Sequence, residues 1–314
     1  MLAYGPVPSR RLGRSLGINN IPPKLCSYSC IYCQLGRTIQ LKVKRSSFYE
    51  PKYLYEKVKN QISQAEIRGE QIDYLTFVPN GEPTLDINLG EEIDLMKSLG
   101  VKIAVIQNSS LIWLEDVRND LLKADWVSLK VDAVNGELWH KINRPHGSLV
   151  LDKILDGMRT FADEFRGELT TETMMIRNYN DEIKEINRIA DFLKEIKPKK
   201  AFLSIPTRPP AERWVNSAEE VKINEAYQVF SKNVENVEYL IGYEGDAFAF
   251  TGDVEKDILS ITSVHPMREE GVKNLLSKAG ADWSKVDKLI ETGKLVELSY
   301  HDHRFYMRKI SNRL

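Results

Sequence analysis

CSYSCIYC, residues 26–33, decides how this chain is read. Cys26, Cys30 and Cys33 are the only cysteines among 314 residues, and all three fall in this window. Three thiols spaced C-x3-C-x2-C admit several chemistries. Structural zinc takes four closed ligands, usually two C-x2-C pairs or Cys2His2, and the nearest histidine in sequence is the distant His140. A redox dithiol needs only Cys30 and Cys33 and leaves Cys26 without a purpose. A buried structural cysteine explains one such residue, but poorly explains three in one short loop. A [4Fe–4S] cluster takes one thiolate per iron. Three cysteines then leave one iron open to an exogenous ligand.

The bulk properties narrow the setting. The chain is 42% hydrophobic and 28% charged with a formal net charge of −1, the composition of an ordinary globular protein. No run of about 18 apolar residues predicts a membrane span. The opening MLAYGPVPSRRLGRS lacks the apolar core of a secretory signal. An odd number of clustered cysteines speaks against a disulfide framework and for a reducing compartment, so the expected location is cytoplasmic. Residues 1–49 hold no Asp or Glu, yet carry Arg10, Arg11, Arg14, Lys24, Arg37, Lys42, Lys44 and Arg45. Such a stretch suits a nucleic-acid contact, docking of an acidic electron donor, or a solvated surface balanced by acids elsewhere.

Around the cysteine window the chain alternates short β-rich runs with amphipathic helical ones. RSLGINNI (14–21) predicts a strand that feeds into the window; strands follow at 72–78, 101–107, 125–133, 168–176 and 200–206. Helical spacing falls between them, and Ser217 with Glu220 predicts a capping box at the head of the last helix. About six β-α units imply an α/β fold, a parallel sheet with covering helices. The pattern changes near residue 245. Helical REEGVKNLLSKAG and DWSKVDKLIETG lead into two strands around a turn at His301–Asp302, the order of a winged helix. The expected division is therefore 1–245 and 246–314. His301 and His303 have same-face strand spacing; a hairpin tip explains them more simply than a metal site.

The cysteine window, with Tyr32 before its last cysteine, closely resembles the signature of the radical S-adenosylmethionine (SAM) superfamily. The resemblance implies a partial (β/α)6 barrel, a [4Fe–4S] cluster held by Cys26, Cys30 and Cys33, and SAM chelating the fourth iron. It also implies an external reductant such as a ferredoxin or flavodoxin. Ligands of parallel β-α folds gather at the carboxyl ends of strands. There Asn80-Gly81-Glu82-Pro83 resembles the superfamily's GGE-type motif, implying contacts from Asn80, Gly81 and Glu82 to the SAM ammonium. Tyr32 and Ile205 resemble the adenine contacts. Asn108 and Ser110, after the third strand, suit the SAM carboxylate or ribose, and a helix cap explains them too. Lys130 and Asp132 share a strand face and suit a SAM or substrate contact, or a strand-end salt bridge. Arg144 and Arg208 are candidate ligands for an anionic substrate.

Residues 5–36, with NGEPTL and TRPPAE, resemble a radical SAM group close to the tRNA wyosine-base synthases, which commonly adds a C-terminal winged-helix-like extension. Those synthases use further cysteines for a second cluster, and this chain has none. Wyosine synthesis and two-cluster methylthiolation are thereby set aside. The reading is a radical SAM enzyme with one cluster. Its substrate classes are a tRNA nucleoside, a peptide or a small metabolite, the C-terminal domain taking RNA or peptide. An iron–sulfur sensor with a winged-helix module is the alternative of another class.

Overall fold

The computed structural model describes residues 2–241, 250, 252–264 and 266–309. Up to residue 241 the elements are β1 (Ala3–Ser9), β2 (Gly13–Ile18), β3 (Leu25–Cys26), β4 (Gln40–Leu41), α1 (Pro51–Ile67), β5 (Tyr74–Phe77), α2 (Leu89–Lys97), β6 (Lys102–Ile106), α3 (Glu115–Leu121), β7 (Trp126–Lys130), α4 (Gly136–Asn143), α5 (Leu151–Glu164), β8 (Glu168–Met174), α6 (Ile183–Ile196), β9 (Lys200–Ser204), α7 (Glu220–Phe230) and β10 (Val237–Leu240). Eight strands form one sheet in the order β1-β2-β5-β6-β7-β8-β9-β10. From β2 to β10 all neighbours are parallel. β1 pairs antiparallel with β2. The units expected from the sequence are β2 and β5 to β9; the edge strands β1 and β10 are additions.

Helical apolar spacing builds the outer layer. Leu54, Val58 and Ile62 of α1, and Ile186, Ile189, Leu193 and Ile196 of α6, are buried on one face of each helix. The sheet curls into an open partial barrel. On its concave side Ala104 of β6, Trp126 of β7, Phe202 of β9 and Leu240 of β10 join one apolar cluster with Leu12. Leu12 lies in the β1–β2 turn, beside the start of β2. The turn therefore closes the concave face at the amino ends of the strands. The cysteine loop follows the other end of β2.

One element is added and one expectation fails. α4 was not expected; the loop that the sequence suggests around Arg144 follows it. The Ser217–Glu220 capping box does not form, because α7 begins at Glu220 with Glu219 before it and no side-chain cap. Ser217 instead makes an isolated β-bridge with Ile176. The segment before α7 is held extended against the loop after β8, so Ser217 lies outside the helix.

Beyond residue 252 come α8 (Val254–Val264), β11 (Met267–Arg268), α9 (Glu269–Lys278), α10 (Ser284–Glu291), β12 (Leu295–Tyr300) and β13 (His303–Arg308). The strands pair in the order β11-β13-β12. They share a core with the helices through Ile258, Val272, Leu275, Leu289 and Tyr306. The β12–β13 turn falls at His301–Asp302, both with positive φ. The expected boundary between 245 and 246 lies outside the described residues. Val7 of β1 packs on this C-terminal core. The Tyr300 hydroxyl donates to the Pro206 carbonyl at 3.0 Å, so the base of the β12–β13 hairpin turn touches the loop after β9.

One glycine ties β1 to β2. Gly17 stands opposite Tyr4 in the register, and a Cβ there would lie 2.0 Å from Tyr4 Cζ. Gly17→Ala must displace a buried ring. A loss of about 1–3 kcal/mol in urea unfolding is expected, and the same substitution should cost less in a Tyr4→Ala background, where the ring it meets is gone.

Candidate active site

A cavity of about 360 Å³ opens where the parallel strands end. Its walls carry Cys26, Cys30 and Cys33 together with Tyr32, Asn80, Gly81, Glu82, Asn108, Lys130, Ile205 and Arg208. Ser110, Asp132 and Arg144 do not line it. Ser110 bonds the Ser27 hydroxyl behind the cysteine loop. Asp132 is buried beneath Tyr32 and accepts its hydroxyl proton. Arg144 ends α4 in the left-handed conformation and pairs with Glu212, which Arg37 also grips.

The cysteine loop is hung between two neighbours. On one side Lys24 N donates to Asn80 O (2.6 Å) and Glu82 N to Leu25 O (3.1 Å). A Cβ on Gly81 would sit 1.9 Å from Leu25 O, so only glycine permits this approach. On the other side Ile31 N donates to Ile142 O (2.9 Å) and Ser29 N to Asn143 O (3.0 Å), at the end of α4. Glu212 N closes the back through Ile31 O (3.0 Å).

Two side-chain amides reach the thiols. Asn108 Nδ2 lies 3.4 Å from Cys26 Sγ, and Asn143 Nδ2 3.5 Å from Cys30 Sγ. Asn143 was missed by sequence reasoning, since nothing marks the last residue of a short helix as a cysteine partner. Burial pushes the Cys30 thiol up to about 12, with Asp132 adding to it. Cys26 is raised well above its ordinary value by burial and then by Glu82. Ligation by these thiols therefore releases protons. Among the described residues no three His, Cys, Asp or Glu side chains converge on a position for one metal ion. Three thiols on one cavity wall are a donor set that fits a cluster, in which each binds a different iron.

Glu82 is 1% exposed. Its carboxylate accepts Thr84 N at 3.0 Å and Asn108 N at 2.7 Å, which fixes its rotamer. Burial raises it to about 7 against those bonds. Beside it Asn80 Oδ1 is a buried acceptor without a hydrogen-bond partner. A cavity wall with an orphaned acceptor and a pinned carboxylate fits a ligand that brings N–H donors.

The far wall is ionic. Lys130 Nζ sits 3.3 Å from Asp132 and 3.2 Å from Glu172, and 5.2 Å from the Tyr32 ring centroid. Burial opposes its charge, but Asp132 and Glu172 hold it raised, so Lys130 stays an ammonium. Glu172 also pairs with Arg11 and accepts the Ser204 hydroxyl at 3.0 Å. Burial alone would lift Glu172; Arg11 and Lys130 overcome it and hold the carboxyl well below the usual range.

Arg10, Arg11 and Leu12, from the β1–β2 turn, line the same cavity. Sequence reasoning left this basic segment three readings, one of them a surface balanced by acids elsewhere. The structure pairs much of it in that way: Arg11 with Glu172, Arg37 with Glu212, Arg45 with Asp116 and Asp120. Which acids meet which arginines, up to 175 residues apart, is not legible locally.

With the fold and cavity in view, comparison with known proteins identifies the class. The chain belongs to the radical SAM superfamily, whose sequence model matches residues 20–193. Members use a [4Fe–4S] cluster and SAM and draw on a reductant. A UPF0026 protein of Methanocaldococcus jannaschii is 49% identical over 314 residues, 99% of this chain and 97% of its own length. A probable dual-specificity RNA methyltransferase RlmN of Streptococcus pyogenes is 23% identical over 177 residues, 53% of this chain and 48% of its own. The structure of TYW1 with a lysine–pyruvate adduct bound shares the fold, with a TM-score of 0.55 at 18% identity over 71% of this chain and 76% of that one. No helix among the described residues is long and apolar enough to cross a membrane.

Glu172 neutralises two buried cations, so its loss should be costly. Glu172→Gln is expected to lower stability by about 3–5 kcal/mol, because Arg11 and Lys130 are left without their shared counter-charge. Urea unfolding at neutral pH reads this directly, and a change under 1 kcal/mol would contradict the pairing.

Proposed function

We propose that Cys26, Cys30 and Cys33 hold a single [4Fe–4S] cluster and that the enzyme cleaves SAM reductively to begin radical chemistry on an RNA nucleoside. The observation that carries the reaction class is the placement of all three thiols on one strand-end cavity with Glu82, Asn80 and Asn108. When bound, the cluster supplies the electron that breaks a sulfonium C–S bond of SAM. The protein's own groups do the rest. Asn80 Oδ1 and Glu82 would accept hydrogen bonds from the SAM ammonium. Asn108 and Asn143 would donate to thiolate sulfur, which stabilises the more negative, reduced state relative to thiolates without such donors. Tyr32, held by Asp132, and Ile205 flank the adenine. The β1–β2 turn closes the concave face and helps exclude water.

Three features support an RNA substrate. Arg208, set against Gln34 on the cavity wall, can meet the phosphate of a nucleotide. The Streptococcus pyogenes relative carries the name of an RNA methyltransferase. The C-terminal elements run helix, strand, helix, helix, hairpin, which we read as a winged helix with its hairpin at the cavity rim through Tyr300. Arg208 equally favours a small anionic metabolite as the second reading. A ferredoxin or flavodoxin is the proposed reductant.

Anaerobic reconstitution with iron, sulfide, SAM and dithionite tests the reaction class. 5′-Deoxyadenosine or another SAM cleavage product should form, and Cys26→Ala should abolish both cluster absorbance and turnover. Failure of the wild type to cleave SAM would refute the mechanism. Comparing RNA nucleosides of a deletion strain with wild type tests the substrate. A missing modified nucleoside is expected; an unchanged profile would turn attention to the anionic metabolite.

A further inference from the structure

A second groove, of about 420 Å³, lies on the same strand-end face and shares no lining residue with the cavity. Tyr179, Trp214, Lys141, Arg177, Asn178 and Asn216 line it. It is formed by α4, the loop after β8 and the extended segment after β9. An apolar wall separates it from the cavity: Ile31, Ile142, Ile176 and Val215 pack with Tyr32 and also with Tyr179. Tyr32 faces the cysteine cavity and Tyr179 the groove, so the two spaces sit back to back.

The groove is built rather than incidental. Arg177 N donates to Asn216 O at 3.1 Å, and Ile176 bridges Ser217, which fastens the two loops together. Asn216 Nδ2 donates to Trp214 O at 3.0 Å and holds the backbone that presents the indole. Trp214 and Tyr179 stack with centroids 5.8 Å apart and planes 26° apart. Trp214 is 49% exposed, while its neighbour Val215 is 1% exposed and does the core packing. The fold thus spends its largest side chain on an open platform.

We infer that this groove binds a single-stranded RNA segment, stacking a base on Trp214 while Lys141 and Arg177 meet its phosphates. The assignment rests on the RNA reading of the cavity above and adds the place where a flanking nucleotide is held. A planar aromatic platform binds bases irrespective of sequence, because every base has a π-face. Lys141 and Arg177 hold only exposed partners, Glu137 at 2.6 Å and Glu219 at 3.5 Å. Exposed pairs of this kind contribute little, so a phosphate can replace the carboxylate at small cost. A proline-rich peptide also docks on aromatic grooves. The paired cations flanking the platform favour the polyanion.

The test uses the full chain and a fluorescently labelled, unstructured RNA 12-mer, with an equally long proline-rich peptide as the other arm. Anisotropy at low salt should show wild type binding the RNA. Trp214→Ala should weaken it by roughly tenfold, and Trp214→Phe should restore most of the loss. Arg177→Ala and Lys141→Ala should each flatten the dependence of log Kd on log salt. SAM cleavage without substrate should be unchanged in all four variants, since none of these residues lines the cavity. RNA binding by wild type that Trp214→Ala leaves intact would overturn the groove assignment and spare the RNA reading. No RNA binding by wild type would overturn both. Trp214-dependent binding of the peptide, with none of the RNA, would show that the groove serves a polypeptide.

Discussion

The approach of Leu25 to Gly81 is the constraint on which the site depends. The Leu25 carbonyl occupies the space that a Cβ would fill, and the hydrogen bonds from Lys24 to Asn80 and from Glu82 to Leu25 form around that contact. It places Cys26 beside the turn after β5 and brings Glu82 and Asn108 to the same wall. A bulkier residue at 81 would push apart the two segments whose proximity makes the cavity. At its other end the loop leans on α4, where Ile142 and Asn143 receive its backbone donors.

Buried charge is the second organising force. The cavity wall holds Glu172 between Arg11 and Lys130, and behind it Asp132 sits between Tyr32, Lys130 and Asn143. Buried ions are costly unless they are paired and fully hydrogen-bonded. Each carboxylate here has several partners from distant parts of the chain, so the network also fixes the β1–β2 turn against β8. The turn closes the barrel and presents Arg10 and Arg11 to the cavity in one arrangement. A residue that resembles a surface charge in sequence becomes part of the site's far wall.

Much of the barrel was legible because its signals are local. Short β-rich runs, buried on both faces, marked β5 to β9, and period-3.6 runs marked the covering helices, whose one buried face leaves its repeat in the sequence. That Cys26, Cys30 and Cys33 share a cavity wall was legible because residues of one short loop are written close together. β1 and α4 were harder. β1 carries Gly5, Pro6 and Pro8, residues that local propensity reads as irregular. The capping box at Ser217 failed for the complementary reason: its local signal was sound, but the bridge to Ile176 took the backbone elsewhere.

The sequence by itself determined the superfamily, through three cysteines of C-x3-C-x2-C spacing and the alternation of elements around them. Tertiary structure alone decided which charges meet. Arg144, a candidate for substrate, closes a structural pair with Glu212, while Arg11, read as surface, enters the cavity. It also decided that Asn143 lies beside a cysteine thiol and that Trp214 stands exposed on Tyr179. Backbone periodicity is set by neighbours along the chain and can be read there. Pairing between residues a hundred or more positions apart is set by how the sheet curls, and only the folded chain brings them together.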